Sequence, residues 1–473
     1  MTALSLALLV PWAAGLALVV LDGRRRAVGW VAVATLVATL AVLAVLAAAV
    51  LRRGAVEYVT GGWPAGVGIV LRADALGVTF ALLSVFVVLV AAAAEAVVGV
   101  RERTFPGLLV LLAAGLNGLF LTGDVFNFYV FFEMSMIAAY VLTAYGAQRA
   151  QLRAAVIFAS VNLLGSFIFL LAVAGTYRVT GTLAMSDVAV RIAEVPASAA
   201  VAVAVGFFVA FSVKLGLFPF HYWLPTVYAN TRPAVAAVLS GAVANIGAYG
   251  LLRFGAGIFT DQLRFSATVL IALGGASIIY GGVLAVARRR PAEMLAYSAI
   301  GQVGYVLVAV GVGGPAGLAA AVLYSVVNAL NKALLFLTTA VRGPLVAGAF
   351  VVGALSVAGV PPAVGFVGKL AVFRTAVDAR SPTLVALLVL GSALSLLYLF
   401  LIYQREFWAE DDEEVSADAD DARGEHTRSV SLRAIAVALA LVLLVGGAWP
   451  EPLAALSAAA ADSVATEADG ATR

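Results

Sequence analysis

Apolar stretches of about 20 residues recur from residue 3 to residue 450, each long enough to cross the hydrocarbon core of a bilayer. Of 473 residues, 63% are hydrophobic and 12% charged, and the mean hydropathy is +1.06, so the length does not divide into soluble domains. The expected fold class is an all-α polytopic membrane protein. A net charge of +3 spread over the connections offers no nucleic-acid surface. With no cysteine, disulfides, thiolate metal sites and cysteine-ligated iron–sulfur clusters are excluded. The first apolar run lacks a preceding basic region and is followed by Arg24, Arg25 and Arg26, so it reads as a retained helix rather than a signal peptide.

Fourteen helices are expected, over about 3–21, 28–51, 74–99, 105–122, 124–146, 155–178, 200–229, 233–254, 266–287, 293–312, 316–341, 344–376, 383–404 and 431–450. The odd-to-even connections then hold 16 arginines and the opposite side 10. By the positive-inside rule the first set is cytoplasmic and both termini face outward. The acidic stretch 410–426 falls on the cytoplasmic side, where acidic residues weigh little in that rule. That stretch, with His426 in it, and the tail after Pro452 are expected to be solvated and partly disordered.

Two helices carry breaks. In helix 7, Pro219 and Pro225 follow Lys214; in helix 12, GVPPAVGFVGK (359–369) places two prolines and three glycines before Lys369. Proline inside a span frees backbone carbonyls, which a membrane tolerates only where protein or water satisfies them. The breaks lie five helices apart, and a unit with an odd number of crossings inserts upside down when copied. This is the pattern of inverted-repeat transporters. The division expected is helices 1–3 over 1–104, a first repeat over 105–257 (helices 4–8) and a second over 258–405 (helices 9–13). An acidic loop over 406–430 and a last helix with its tail over 431–473 complete it.

Only three of the 29 basic residues are lysine: Lys214, Lys332 and Lys369, and all three interrupt hydrophobic runs. Glu133 lies in helix 5. A charge at the bilayer centre costs about 2.5–3.5 kcal/mol on insertion scales, so idle ones are not retained. A buried lysine can release its proton, whereas a guanidinium stays charged. Lysine at mid-membrane in a chain that otherwise uses arginine therefore points to proton transfer, with Glu133 tuning Lys214. The plainer readings are snorkelling to the interface and a structural Glu–Lys contact between helices. Glu95 is expected to be an interfacial carboxylate, and Asp124 a helix N-cap. His221 reads equally as a relay member or an interfacial residue. Tyr297, Gln302, Tyr324, Ser325 and Asn328 are expected to hold waters between Lys214 and Lys332, or to bond neighbouring helices.

The segments 115–142, 177–187, 214–225, 295–307, 331–337 and 359–369 resemble the antiporter-like subunits shared by respiratory complex I and the Mrp cation/proton antiporters. The first two lean toward the D-type subunits of Mrp. The resemblance covers roughly 70–405. It implies fourteen core helices in two inverted five-helix repeats, discontinuous helices 7 and 12, and a line of titratable groups at the midplane. Motif by motif, Glu133 falls on the family's helix 5 glutamate, and Lys214, Lys332 and Lys369 on its lysines of helices 7, 11 and 12. Where the family often has a titratable residue in helix 8, this chain has Asn245. Asn328 and Tyr324 stand where histidines are common in helix 11. The middle of the relay is thus expected to depend on water held by Asn245, Asn328 and Tyr324.

The function implied is a proton-conducting subunit of a multi-subunit Na⁺/H⁺ antiporter in a prokaryotic cell membrane, a secondary transporter rather than an enzyme. Its expected partners are other subunits of the complex, protons, Na⁺ and the bilayer, with no cofactor, metal or nucleic acid. The alternatives are a proton-pumping subunit of complex I or of a membrane-bound hydrogenase, and a scaffold subunit whose relay is broken.

Overall fold

The computed structural model describes residues 3–63, 68–408 and 419–470. Among them, twelve helices are long and apolar enough to cross a membrane, and they occupy the expected places of helices 1–3, 5–11, 13 and 14. Helix 4 (Phe105–Phe120) and the first half of helix 12 (Pro344–Ala358) are shorter apolar helices. The chain is an all-α, multi-pass membrane protein.

The helices sort by how apolar they are around their circumference. In helix 8 (Pro233–Ala256) and helix 11 (Gly314–Thr338), 94% of the apolar stretch is buried, against 33% in helix 1 (Ala3–Val20) and 22% in helix 14. Helices buried on all sides form the centre, and the others keep apolar residues for lipid or for neighbouring subunits. Lipid gives helices no hydrophobic reason to pair, so small residues supply close packing instead. Helix 9 (Thr260–Ala287) lies against helix 10 (Pro291–Val312) in this way, and a Cβ at Gly274 would sit 2.8 Å from the Gly304 carbonyl oxygen.

Both expected breaks are present. Helix 7 runs Ala197–Leu215, turns at Gly216 with φ +63°, makes one tight turn over Phe220–Trp223 and resumes over Leu224–Asn230. Helix 12 stops at Ala358, turns at Gly359 with φ +80° and resumes over Gly365–Asp378. Protein groups satisfy the freed backbone, as a lipid environment demands. Trp223 Nε1 donates to Val213 O at 3.0 Å, Phe218 N donates to Ser277 Oγ at 3.0 Å, and Gly365 N donates to Ser356 Oγ at 3.0 Å.

Four features depart from the sequence reading. Strands β1 (Val56–Val59) and β2 (Val70–Ala73) form an antiparallel hairpin ahead of helix 3 (Ala75–Val98), pairing Val56 with Ala73. Helix 8 is not uniform: Leu239–Val243 and Leu251–Ala256 are wound as π-helix on either side of Asn245. The last apolar helix begins at Ala419, inside the stretch read as loop, while 410–418 and the His426 side chain lie outside the described residues. The tail after Pro452 is not a solvated strand of coil. Glu451–Gly470 is a helix packed on helices 3 and 11, burying Ala460, Ala461 and Val464. Its acidic and hydroxyl residues lower its mean hydropathy, but its alanines at helical spacing present a smooth face that permits close approach.

Candidate functional site

All three lysines are buried, with exposures of 4% for Lys214, 0% for Lys332 and 2% for Lys369. Among the described residues none of them reaches an acidic group within ion-pair distance.

Lys214 is the penultimate residue of the first half of helix 7, so the break places its side chain at a backbone discontinuity. Its ammonium lies 4.2 Å from the centre of the Phe132 ring, and Nζ has no hydrogen-bond partner. Glu133 follows Phe132 on helix 5 (Val125–Thr143). It is half-buried, accepts a hydrogen bond from Ser166 Oγ of helix 6 (Arg149–Thr180), and is close enough for its charge to act on Lys214. The expected partnership is thus electrostatic, without direct contact. Ser166 and Tyr140, whose hydroxyl has no hydrogen-bond partner, escaped the sequence reading because neither is charged.

Past Leu215 lies a cavity of about 20 Å³ lined by Tyr228, Ser240, Asn245, Ser325 and Asn328, among others. That is room for one water. Asn245 Nδ2 donates to Gly241 O at 2.7 Å, Ser240 Oγ to Ala236 O at 2.6 Å and Ser325 Oγ to Ala321 O at 2.7 Å. Asn328 Oδ1 is left without a partner. Asn245, Ser325 and Asn328 thus line one small cavity, among leucines, valines and alanines, and Tyr324 is not among its lining residues.

Tyr324 instead donates to Gln302 Oε1, and both belong to a network between Lys332 and Lys369. Lys332 Nζ donates to Ser298 Oγ at 2.8 Å, and Ser298 Oγ lies 2.6 Å from Tyr398 Oη. Gln302 Nε2 donates to Tyr398 Oη at 3.2 Å and to Ser395 Oγ at 3.1 Å. Lys369 Nζ donates to Ser392 Oγ at 3.0 Å, and to Tyr305 Oη and Ala358 O at 3.4 Å each, the last a carbonyl freed by the helix 12 break. Of the two expectations for Gln302 and Tyr297, waters between Lys214 and Lys332 or bonds to neighbouring helices, the structure has the second. Gln302 is turned toward helix 13 (Pro382–Phe407), whose hydroxyls take its amide hydrogens, and Tyr297 is held by Arg288 at the end of helix 9. Ser298, Gln302 and Tyr305 on helix 10 face Ser392, Ser395 and Tyr398 on helix 13, two stripes at helical spacing.

His221 packs 4.4 Å from Tyr280 and 5.6 Å from Phe218, ring centre to ring centre. Its Nδ1 has no partner, and no hydrogen bond ties it to a lysine among the described residues. Asp124 caps helix 5 as expected, its Oδ1 accepting from Asn127 N at 2.7 Å. Glu95, one turn from the end of helix 3, is buried within the protein: Tyr145 Oη donates to it at 3.2 Å, and the Arg232 guanidinium is 3.8 Å away. Burial, then the Glu95 charge, push the Tyr145 phenol up to about 12. Arg253, at the end of the expected helix 8 and counted with the outward-side arginines, is buried in that helix, where its Nη2 lies 2.6 Å from Asp74 Oδ1.

Residues 122–395, more than half of the chain, match the family described as "NADH:quinone oxidoreductase/Mrp antiporter, TM". This chain belongs to that family. The D-type subunit of the Na(+)/H(+) antiporter of Alkalihalophilus pseudofirmus is 33% identical over 387 residues, covering 77% of this chain and 78% of its own. The N-type subunit of the NADH-quinone oxidoreductase of Desulforudis audaxviator is 35% identical over 407 residues, 79% of this chain and 80% of its own. Among solved structures, a chain of the Mrp complex from Dietzia sp. DQ12-45-1b superposes with a TM-score of 0.89 at 29% identity, over 98% of this chain and 97% of that chain. The family match contains Glu133 and all three lysines and ends at Ser395, so the hairpin, the C-terminal helix and Tyr398 lie outside it.

Proposed function

We propose that this chain is the D-type, proton-conducting subunit of a multi-subunit Na⁺/H⁺ antiporter, a transporter component rather than an enzyme. The observation that carries the reading is three buried lysines, two hydrogen-bonded only to neutral groups and the third, Lys214, without a hydrogen-bond partner in the neighbourhood of a membrane glutamate. Protons enter the Glu133–Lys214 pair, cross the small polar cavity at Asn245 and Asn328, and reach Lys332 and then Lys369. The likeness to the D-type antiporter protein of A. pseudofirmus and to the Mrp complex chain supports Na⁺ as the exchanged cation and other membrane subunits as partners. The paired breaks of helices 7 and 12 support inverted repeats over 105–257 and 258–405, within a fourteen-helix core. The arginine bias supports a cell-membrane topology with both termini outside, and it survives removal of the buried Arg253 from the outer set.

A second reading, a component of a redox-driven proton pump, is favoured by the 35% identity to the N-type subunit of a quinone oxidoreductase. Mass spectrometry of the native complex separates the two. Small antiporter subunits are expected; iron–sulfur or quinone-site partners would transfer the chain to the redox class. Cation-dependent pH-gradient assays on vesicles carrying the whole complex then test the relay. Lys332→Ala is expected to abolish exchange while the complex assembles normally, and unimpaired exchange would leave only a scaffold role.

A further inference from the structure

Between Lys332 and Lys369 the side chains form two hydrogen-bonded arms. The Lys332 arm runs through Ser298, Tyr398 and Gln302 to Tyr324; the Lys369 arm holds Ser392 and Tyr305. They meet where the Tyr324 and Tyr305 rings lie 5.3 Å apart, and among the described residues no hydrogen bond joins them. A hydroxyl passes protons, because it can accept one while releasing another. A carboxamide is different, since its nitrogen only donates and its oxygen only accepts. Gln302 Nε2 has both hydrogens engaged, by Tyr398 and Ser395, while Oε1 accepts from Tyr324. To relay a proton the amide would have to gain one on oxygen and lose one from nitrogen, leaving the disfavoured imidic acid.

We propose that Gln302 is a positioning residue that keeps this junction proton-tight, pinning the Tyr324 hydroxyl on the Lys332 side. Transfer occurs when Tyr324 leaves Gln302 and turns toward Tyr305. Freed from Gln302, its oxygen must bridge Tyr398 and Tyr305 directly: it accepts a proton from Tyr398, which is replenished from Lys332 through Ser298, as its own proton passes to Tyr305 and the Lys369 arm. Lys332 loses one proton, Lys369 gains one, and each hydroxyl between them ends as it began. Gln302 thereby prevents the two lysines from equilibrating freely, which a coupled exchanger requires. This inference rests on the relay reading of the lysines.

The test uses the intact complex in vesicles, first under an imposed pH gradient in choline salts and then with Na⁺. Gln302→Glu replaces the amide with a nearly isosteric carboxyl that can accept on one oxygen and release from the other. It is expected to raise the cation-independent proton leak at least about tenfold, the factor that corresponds to about 1.4 kcal/mol off a barrier. A proton-tight Gln302→Glu complex of normal abundance overturns the proposal. Should that variant not assemble, Tyr324→Phe decides: slowed exchange without leak supports the proposal, and wild-type exchange overturns it. If Lys332→Ala and Lys369→Ala are inactive while Gln302→Glu is tight, only the Gln302 assignment fails. If those lysine variants exchange normally, the relay reading itself falls.

Discussion

The Lys214 ammonium rests 4.2 Å from the centre of the Phe132 ring, one residue before Glu133, and has no hydrogen-bond partner. A cation held only by a ring face and a nearby carboxylate is poised to move. Both Glu133→Ala and Lys214→Ala are expected to abolish Na⁺-dependent exchange in vesicles with the complex assembled. Phe132→Leu removes the ring but no charge. A desolvated cation–π contact is worth about 0.5–2 kcal/mol, so exchange should slow by a factor of between about two and thirty. Near-normal exchange by Glu133→Ala would take proton entry away from this pair.

Lys369 offers a sharper distinction between charge and titration. Its Nζ is met by Ser392 Oγ, Tyr305 Oη and the Ala358 carbonyl, all of which a guanidinium could also satisfy as acceptors. Lys369→Arg therefore preserves the cation and its hydrogen-bonding capacity but cannot release a proton. Exchange by Lys369→Arg is expected to fall as far as in Lys369→Ala. An active arginine variant would make Lys369 a structural cation.

The Asp74–Arg253 pair fastens helix 8 to the start of helix 3 beneath the hairpin. Burial would raise the Asp74 carboxyl, but the Arg253 charge and hydrogen bond, the Gly77 amide and Arg72 together hold it below its ordinary 3.8. A carboxyl depressed in the folded state stabilises above its unfolded value and loses that contribution as pH falls through the folded one. Stability from this pair should thus be constant from neutrality down to about pH 4 and decline only in stronger acid. Arg253→Met leaves the buried Asp74 carboxylate with only the Gly77 amide and the Arg72 guanidinium, 3.6 Å away, so the cost should approach, without reaching, the roughly 3–5 kcal/mol of a fully broken buried pair. The complex in detergent should unfold at lower temperature, and adding Asp74→Asn should recover part of the loss. An Arg253→Met complex as stable as the wild type would show the pair to be dispensable.

What was readable in the sequence follows from what membranes penalise. Twenty-residue apolar runs, prolines inside them and lysines at their centres each cost free energy in lipid, so each stands out against its surroundings. The breaks after Lys214 and before Lys369 were visible for that reason. Ser392, Ser395 and Tyr398 were not, because single hydroxyls inside an apolar helix cost little and acquire meaning only when helix 13 lies opposite Ser298, Gln302 and Tyr305. The LAYSAIGQVGYVL segment was recognised as a motif, yet nothing in it says which neighbour its polar stripe faces. Arg253 misled for the opposite reason: near a helix end an arginine reads as an interfacial anchor, and only the fold brings Asp74 to it across 179 positions. The C-terminal helix was missed because Asp462, Glu467, Asp469 and the hydroxyl residues between them make the segment read as solvated, although its alanine face packs closely.

Asn245 is where the relay most depends on water. The cavity beside it is about 20 Å³, enough for one molecule, and the unpartnered Asn328 Oδ1 supplies an acceptor. If that water links Lys214 to Lys332, filling the space and enlarging it should act in opposite directions. Asn245→Leu puts a branched apolar group where the amide stood, removes a polar partner and should expel the water. Exchange should slow at least about tenfold, as expected if about 1.4 kcal/mol or more is added to the barrier. Asn245→Ala opens the site and leaves Asn328 and Ser325 to hold more than one water, so exchange should persist. Asn245→Lys would restore a titratable group at this place, but the small cavity must open to admit it, and its rate should fall between the other two. The three variants are compared by Na⁺-dependent pH-gradient dissipation at equal complex abundance. Equal rates in Asn245→Leu and Asn245→Ala would mean that protons cross between the lysines elsewhere, and a scaffold role would then account for this half of the chain better than conduction.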